Sequence, residues 1–430
     1  MLSTAQHRSA LAAVESDLVI RDSRYFARYR NLLLGSAFQP IYSFAHGRAV
    51  GYEALLRAQD AAHHPVSPLQ VFAMPEDDAE LVHLDRLCRA LHLRNHPTGA
   101  AADDWLFLNV NPRVVIDGKR YGQFFAGLLE SLGIAGHRLV IEILEGAITD
   151  EPALPEALAY YRELGCVIAI DDFGAGHSNF ERIWRLSPDI VKLDRSMTEQ
   201  AAQQPRVRRI LPGLVALLHE AGCLVVMEGV ETEAEALIAM DADADLVQGY
   251  FFARPSPAPL TDPMERPALP LLGQHFRELS AREALRQRGD LESYIHAFRR
   301  SAGALQSGMT LGHACATLLD MPRVERCYLL DADGVQIGVN LVPEARIHNA
   351  DPRFRPLSDT RSATWFRRPY FRRAMEHSGE VQITRPYLSL TGARMCVTLS
   401  MALPDDTGLR VLCCDMECCI NGIAAGSAQV

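Results

Sequence analysis

Acidic residues recur where apolar runs end. The stretch VIAIDDFGAGHSNF, residues 167–180, sets Asp171 and Asp172 side by side after an apolar run and follows them with two glycines. Glu53 lies in GYEALLR, Asn109 in FLNVNP, and Glu142 and Glu145 in VIEILE. Lys192 and Asp194 follow in VKLD, Glu228 and Glu231 in MEGVE, and Gln248 in VQGYF. Unpaired carboxylates are costly in buried strands, and several that converge repel one another unless cations lie between them. Carboxylate and amide oxygens, with no Cys or His placed as a soft ligand, suit a hard ion such as Mg2+ or Mn2+. A pair of such ions would bridge a phosphate oxygen, acidify a water and offset charge on the leaving oxygen.

In that arrangement Asp171 faces one ion or bridges both, and Asp172 serves the second. Adjacent strand residues point to opposite faces, so the backbone must leave the strand there, a turn that Gly174 and Gly176 permit. Lys192, a compact charge with movable donors, would hold the attacking water or stabilise charge at phosphorus. Arg57, four residues after Glu53, can grip a phosphate as a bidentate donor. Each motif alone has an ordinary reading: EALLR as amphipathic helix, NVNP as a strand and turn, DDFGAG as a capped turn. Their ordered recurrence carries the argument. His177 is a loop cap or a substrate contact, His63 and His64 belong to loop surface, and Phe251 and Phe252 pack the barrel wall or stack on a flat ring.

The elements that must position these groups alternate. AFQPIYS, VGYEALL, WLFLNVN, RLVIEIL, CVIAIDD, DIVKLD, CLVVMEG and LVQGYFF read as strands, with helix-like stretches such as DAELVHLDRLCRALHLRN and RRILPGLVALLHEAG between them. The fold class is therefore α/β. Eight strands of a mostly parallel sheet favour a closed barrel, whose carboxyl ends converge on one face. The expected division is a helical lead-in over 1–30, the barrel over 31–257, a proline-rich linker and connecting helix over 258–299, and an α+β domain over 300–430. In that last domain, strand and Asp-Gly turn signals predict a central antiparallel sheet with helices on one side.

The chain has 430 residues, 48% hydrophobic and 22% charged, with a formal net charge of −10. That sign argues against a partner that is a DNA or RNA polymer. Ten cysteines, irregularly spaced, read as reduced thiols, and LCCDMECC mostly as the end of an apolar strand. No run approaches the length of a membrane helix, and the expected location is cytoplasmic.

The ordered set YEALLR, NVNP, EILE, DDFGAGHSN, VKLD, EGVE and QGYFFARP resembles the EAL-domain family of cyclic-di-GMP phosphodiesterases over about residues 30–257. The resemblance implies a modified TIM barrel that hydrolyses cyclic di-GMP to linear pGpG, with two Mg2+ or Mn2+ ions per site and inhibition by Ca2+. Carried over by motif, Glu53, Asn109, Glu142 and Asp171 resemble ligands of one metal, and Asp171 and Asp172 help hold the other. Glu228 resembles a base or metal-site partner, Lys192 the lysine that orients water, and Gln248 a polar group of the same site. Asn109, Arg57, Gln248 and Glu231 resemble substrate-side groups, and Glu145 an acid that steadies the loop after Asp172. Leu144, Ala175, His177 and Asn179 depart from the usual pattern without removing a ligand, which implies an active enzyme. The alternative is a catalytically silent receptor that acts through protein contacts.

The same resemblance implies a homodimer. Residues 300–430 resemble a PAS-like or Cache-like sensory domain. There Arg367, Tyr370, Arg385, Tyr387 and Thr398 are expected to line a pocket for a small anionic or polar ligand.

Overall fold

All eight runs read as strands close into one sheet. The structure is a computed structural model that describes residues 4–96, 104–111, 114, 124–144, 153–176, 180–259, 268–344, 359–389, 394–405 and 408–418. Glu145 and His177–Asn179 lie outside these residues. The chain divides into two compact units, 1–278 and 279–430.

In the first unit, β1 (Leu18–Arg21) and β2 (Arg24–Tyr29) precede β3 (Leu32–Ser43), β4 (Arg48–Gln59) and the short β5 (Pro65–Val66). Then come β6 (Trp105–Asn109), β7 (Leu139–Leu144), β8 (Val167–Phe173), β9 (Ile190–Leu193), β10 (Leu224–Met227) and β11 (Leu246–Val247). The barrel runs β3-β11-β10-β9-β8-β7-β6-β4 and closes through a β3–β4 pairing. β3 is antiparallel to both neighbours, whereas the pairs from β4 through β6 round to β11 are parallel. β9 is buried at all four positions, as a strand must be when one face fills the barrel and the other meets helices.

The helices α1 (Thr4–Asp17), α2 (Pro68–Phe72), α3 (Asp78–Asn95), α4 (Phe124–Leu132), α5 (Ala153–Glu163), α6 (Phe180–Leu186), α7 (Arg195–Gln203), α8 (Pro205–Glu220) and α9 (Glu233–Asp241) belong to this unit. Their apolar sides join the outward faces of the strands in one large core. A smaller cluster of Ile41, Phe107, Val140, Ala169, Ile190, Val226 and Leu246 fills the barrel interior.

Two expectations are corrected. The lead-in is helical only to Asp17; residues 18–29 form a hairpin paired with β3. Asp22 and Ser23, both at positive φ, make the tight two-residue turn that suits such a hairpin. The helix after the proline-rich stretch, α10 (Ala268–Gln306), continues past residue 299, and its Tyr294, Phe298 and Ala302 already belong to the core of the second unit.

The second unit contains α11 (Leu311–Leu319), β12 (Val324–Leu330), β13 (Gln336–Leu341), α12 (Pro369–Glu376), β14 (Gln382–Ile383), β15 (Tyr387–Leu388), β16 (Met395–Asp405) and β17 (Gly408–Glu417). Its antiparallel sheet runs β13-β12-β17-β16-β14, with β15 also on β16. Helices cover both faces and not one alone. Cys327, Leu329 and Cys414 meet the α10 and α11 side, while Tyr328, Leu330 and Cys413 meet Tyr370 and Phe371 of α12. The cause is that β12 is buried at every position, so neither of its faces is left to solvent. Cys413 and Cys414 are thus core thiols on opposite faces of β17; Cys418 is partly buried, and Cys419 lies outside the described residues. No helix among the described residues is long and apolar enough to cross a membrane.

Candidate functional site

The polar groups at the barrel mouth stand one layer above the apolar plug. Residues i and i+2 of a strand share a face. Two positions beyond Phe107, Val140, Ala169, Ile190, Val226 and Leu246 come Asn109, Glu142, Asp171, Lys192, Glu228 and Gln248. β3 runs the other way, so Gln39 lies two positions before Ile41, and it sits directly opposite Glu53 in the β3–β4 register. β4 supplies Gly51 at the level of the plug and Glu53 above it. The missing side chain matters: a Cβ on Gly51 would lie 2.8 Å from the ring of Phe107.

Lys192 is the hub. Its Nζ lies 2.6 Å from Glu142 Oε1, 2.6 Å from Glu228 Oε1, 3.1 Å from Asp171 Oδ1 and 3.5 Å from Glu53 Oε2. Glu53 is also held from the sides, accepting from Asn109 Nδ2 at 2.9 Å and from Gln248 Nε2 at 2.7 Å. Gln248 Nε2 reaches Gln39 Oε1 at 3.2 Å, and Gln39 donates to the Ala253 carbonyl at 3.1 Å. Asp172 enters through a backbone device. It has φ of 58°, and the β8–β9 register breaks between Ile170 and Phe173. The turn away from the strand therefore begins at Asp172 itself, and Gly174 and Gly176 continue it at positive φ. Asp171, Asp172 and Glu228 consequently each offer an oxygen within 4.8 Å of the others.

Five carboxylates around one ammonium carry a formal charge of −4 if all are ionised. The cluster responds by holding protons. Burial pushes Glu142 well above the usual carboxylate range against the pull of Lys192, and burial with the field of Asp171 and Glu53 raises Glu228 to about 8. Asp172 rises to about 6 through burial and the charges of Asp171 and Asp194. Burial alone would lower Lys192, but the summed field of Asp171, Glu142, Glu228 and Glu53 outweighs it and holds the ammonium charged.

These residues fit a divalent cation. Glu142 Oε2 is fully buried without a hydrogen-bond partner, and Gln248 Oε1 is likewise unpartnered. Asp171 Oδ1 and Glu142 Oε1 meet Lys192 only as ion pairs, outside hydrogen-bond alignment. An all-oxygen set with unsatisfied acceptors and excess negative charge is what a hard cation requires.

Other expected residues sit apart. Arg57 is exposed, four positions from Glu53 and so on the same strand face, and it donates to the Leu56 carbonyl at 2.9 Å. Glu231 is ion-paired with Arg195 at 2.8 Å, and Asp194 caps α7 by accepting from Ser196 N. His63 sits at positive φ in an exposed loop. Phe252 is packed in the wall against Tyr42, as expected for a core aromatic. Gln39 is the site residue that the strand-end pattern misses; its signal is the two-residue step from Ile41 on the one reversed strand.

In the second unit, Tyr370 and Tyr387 line a polar cavity together with Arg326, Gln336, Thr360 and Arg368. Arg367 and Arg385 are exposed and lie outside its lining. Thr398 is fully buried behind Tyr387, with the two hydroxyl oxygens 2.6 Å apart. The guanidinium expected from Arg367 comes from its neighbour Arg368, which precedes the first turn of α12.

Known proteins resemble the chain in sequence and in fold. The EAL domain family matches residues 28–255. The cyclic di-GMP phosphodiesterase NbdA of Pseudomonas aeruginosa is 31% identical over 230 residues, covering 51% of this chain and 28% of that protein. The cyclic di-GMP phosphodiesterase RocR of the same organism is 29% identical over 226 residues, covering 51% of this chain and 57% of its own. The chain thus spans only about a quarter to just over half the length of these relatives. In fold it is similar to the Bacillus subtilis YkuI protein, with an EAL domain, solved in complex with substrate c-di-GMP and calcium. That likeness has a TM-score of 0.76 at 23% identity, over 97% of this chain and 100% of the other.

Proposed function

The chain belongs to the EAL domain family, and we propose that its barrel hydrolyses one phosphodiester bond of cyclic di-GMP to give linear pGpG. The observation that carries the proposal is the ring of Glu53, Glu142, Asp171, Asp172 and Glu228 around the buried ammonium of Lys192, with carboxylate and amide oxygens left unsatisfied. The relatives named as cyclic di-GMP phosphodiesterases support the choice of substrate.

Glu53, Asn109, Glu142, Asp171, Asp172 and Glu228 would hold Mg2+ or Mn2+, two ions per site in this reading. When bound, the ions supply Lewis acidity and a water of lowered pKa. The rest falls to the chain's own groups. Lys192, fixed by four carboxylates, keeps its charge and presents donors to the attacking water and to the oxygens at phosphorus. Asn109 and Gln248 hold Glu53 in one orientation from both sides, so that its oxygens do not reorganise when substrate enters. Glu228, the most water-facing of the four acids paired to Lys192, is placed to take a proton from the incoming water. Arg57 would receive a substrate phosphate at the rim.

A homodimer and inhibition by Ca2+ belong to the same reading. The second unit is proposed as a PAS-like or Cache-like domain, which its antiparallel core sheet with flanking helices supports.

Chromatography of the products from cyclic di-GMP tests the proposal. Linear pGpG is expected with Mg2+ or Mn2+, little with Ca2+, and none after Glu53→Ala. Binding of the dinucleotide without product under every metal condition would instead make the protein a receptor.

A further inference from the structure

The second unit holds a small polar cavity that is open at its mouth. Its lining is drawn from β12, β13, β17, β15 and the start of α12, on the sheet face where Tyr328 meets Tyr370 of α12.

Most of its polar groups are already engaged with one another. Asp415 Oδ1 accepts from Thr398 at 2.8 Å, Tyr328 at 3.3 Å and Tyr387 at 3.4 Å, while Oδ2 faces Arg326 Nε at 3.2 Å. Arg326 Nη2 donates onward to Ser389 Oγ at 3.0 Å. Gln336 accepts from Trp365 Nε1 at 3.2 Å and donates to Asn340 at 2.9 Å. Among the described residues, Asp415 is the only carboxylate of the lining, and three hydroxyls and a guanidinium close it in.

Two groups stand apart from this network. The guanidinium of Arg368 makes no hydrogen bond or ion pair among the described residues, although it lines the cavity. Thr360 is only 5% exposed, and its hydroxyl also lacks a partner among the described residues. Furthermore, α12 begins at this wall: Arg368 is its N-cap position, Tyr370 its second residue, and no side chain caps it. The positive end of a helix and an unpaired guanidinium act in the same sense. The rings of Tyr370 and Tyr387, 6.4 Å apart and nearly parallel, with Trp365 beside them, provide an apolar wall.

We propose that this cavity binds a small organic monocarboxylate, its anionic end on Arg368 and Thr360 and its body against the aromatic wall. Among the described residues of the lining, one unengaged cation matches one negative charge, and the closed ring around Asp415 offers no carboxylate to an ammonium group. This proposal is independent of the chemistry assigned to the barrel.

Isothermal titration of the full chain tests it, with propionate, pyruvate and benzoate as probes and with propionamide, glycine and putrescine as neutral, zwitterionic and cationic counterparts. At least one carboxylate binds at millimolar concentration or below, and the three counterparts do not. Loss of a charge-assisted pair should weaken that binding about tenfold or more in Arg368→Gln. Arg368→Lys retains part of it, Thr360→Val weakens it, and Arg367→Gln leaves it unchanged. The proposal is overturned if no carboxylate binds, if propionamide binds as well as propionate, or if a folded Arg368→Gln protein binds as the parent does. The readout is binding heat and does not depend on turnover.

Discussion

Lys192 Nζ and Glu142 Oε1 meet 2.6 Å apart from β9 and β7, strands separated in the barrel wall by β8, and neither residue is more than 1% exposed. A buried ion pair adds little stability over an apolar pair, yet removing one partner is costly. Lys192→Met should therefore destabilise the metal-free barrel by about 3–5 kcal/mol, because it leaves the carboxylates without their one cation. Added Mn2+ should restore much of that stability without restoring pGpG formation, which should fall at least about a hundredfold. Thermal unfolding with and without Mn2+, beside product chromatography, separates the two effects. Full turnover in the Met variant would remove Lys192 from the chemistry.

Protons and cations compete for the same oxygens. Asp172 at about 6 and Glu228 at about 8 are protonated well above the range of exposed acids, and a metal ligand must be deprotonated. Raised carboxylate pKa values mean that the folded, metal-free state holds protons which the unfolded chain has released. Its stability from these groups is thus complete below about pH 4.5 and declines as pH rises toward 8. Metal affinity moves the opposite way: Mn2+ should bind up to about tenfold more tightly per pH unit between 6 and 8 for each proton displaced. Calorimetry in buffers of different ionisation enthalpy should record proton release in that window, and Glu228→Gln should reduce it. A flat profile from pH 6 to 8 would contradict these assignments.

The floor of the site depends on a residue with no side chain. Gly51 faces the ring of Phe107 and the backbone of Trp105, where a Cβ would come within 2.8 Å and 3.0 Å. Gly51→Ala should destabilise the barrel by about 1–3 kcal/mol through overpacking, and Phe107→Leu in the same chain should recover part of the loss. Because Glu53 stands two residues further along β4, turnover should fall together with stability in the single variant. A fully stable Gly51→Ala protein would show that the plug yields more easily than its packing indicates.

Much of this was legible because strand ends and unusual polarity coincide. VKLD and VIEILE put charged residues inside apolar runs, which an ordinary strand avoids, and the structure places Lys192 and Glu142 at the centre of the cluster. The convergence of eight separate segments followed from counting the strands. Direction was harder to see. Nothing in AFQPIYS marks β3 as reversed, so Gln39, which faces Glu53 through that reversal, carried no strand-end signal. Asp194 and Glu231 carry the same charge as the site acids, but local partners claim them, the amide of Ser196 and the guanidinium of Arg195. In the second unit, aromatic and basic composition pointed to a pocket and to Tyr370 and Tyr387. It could not choose between Arg367 and Arg368, which differ only in where α12 begins.

Asp415 anchors the sheet of the second unit through its bonds to Thr398, Tyr328 and Tyr387 and its pairing with Arg326. Replacing it with alanine leaves a guanidinium buried without its counter-charge and removes the acceptor that three hydroxyls share. The expected loss is about 3–5 kcal/mol. The joint change Arg326→Met with Asp415→Leu removes both charges and should cost much less, since no charge is then left unpaired. Differential scanning calorimetry can follow the two compact units, and the transition of the second should move while that of the barrel stays in place. Equal losses in the single and joint variants would show that the hydroxyl network around Asp415, and not the ion pair, holds this sheet face together.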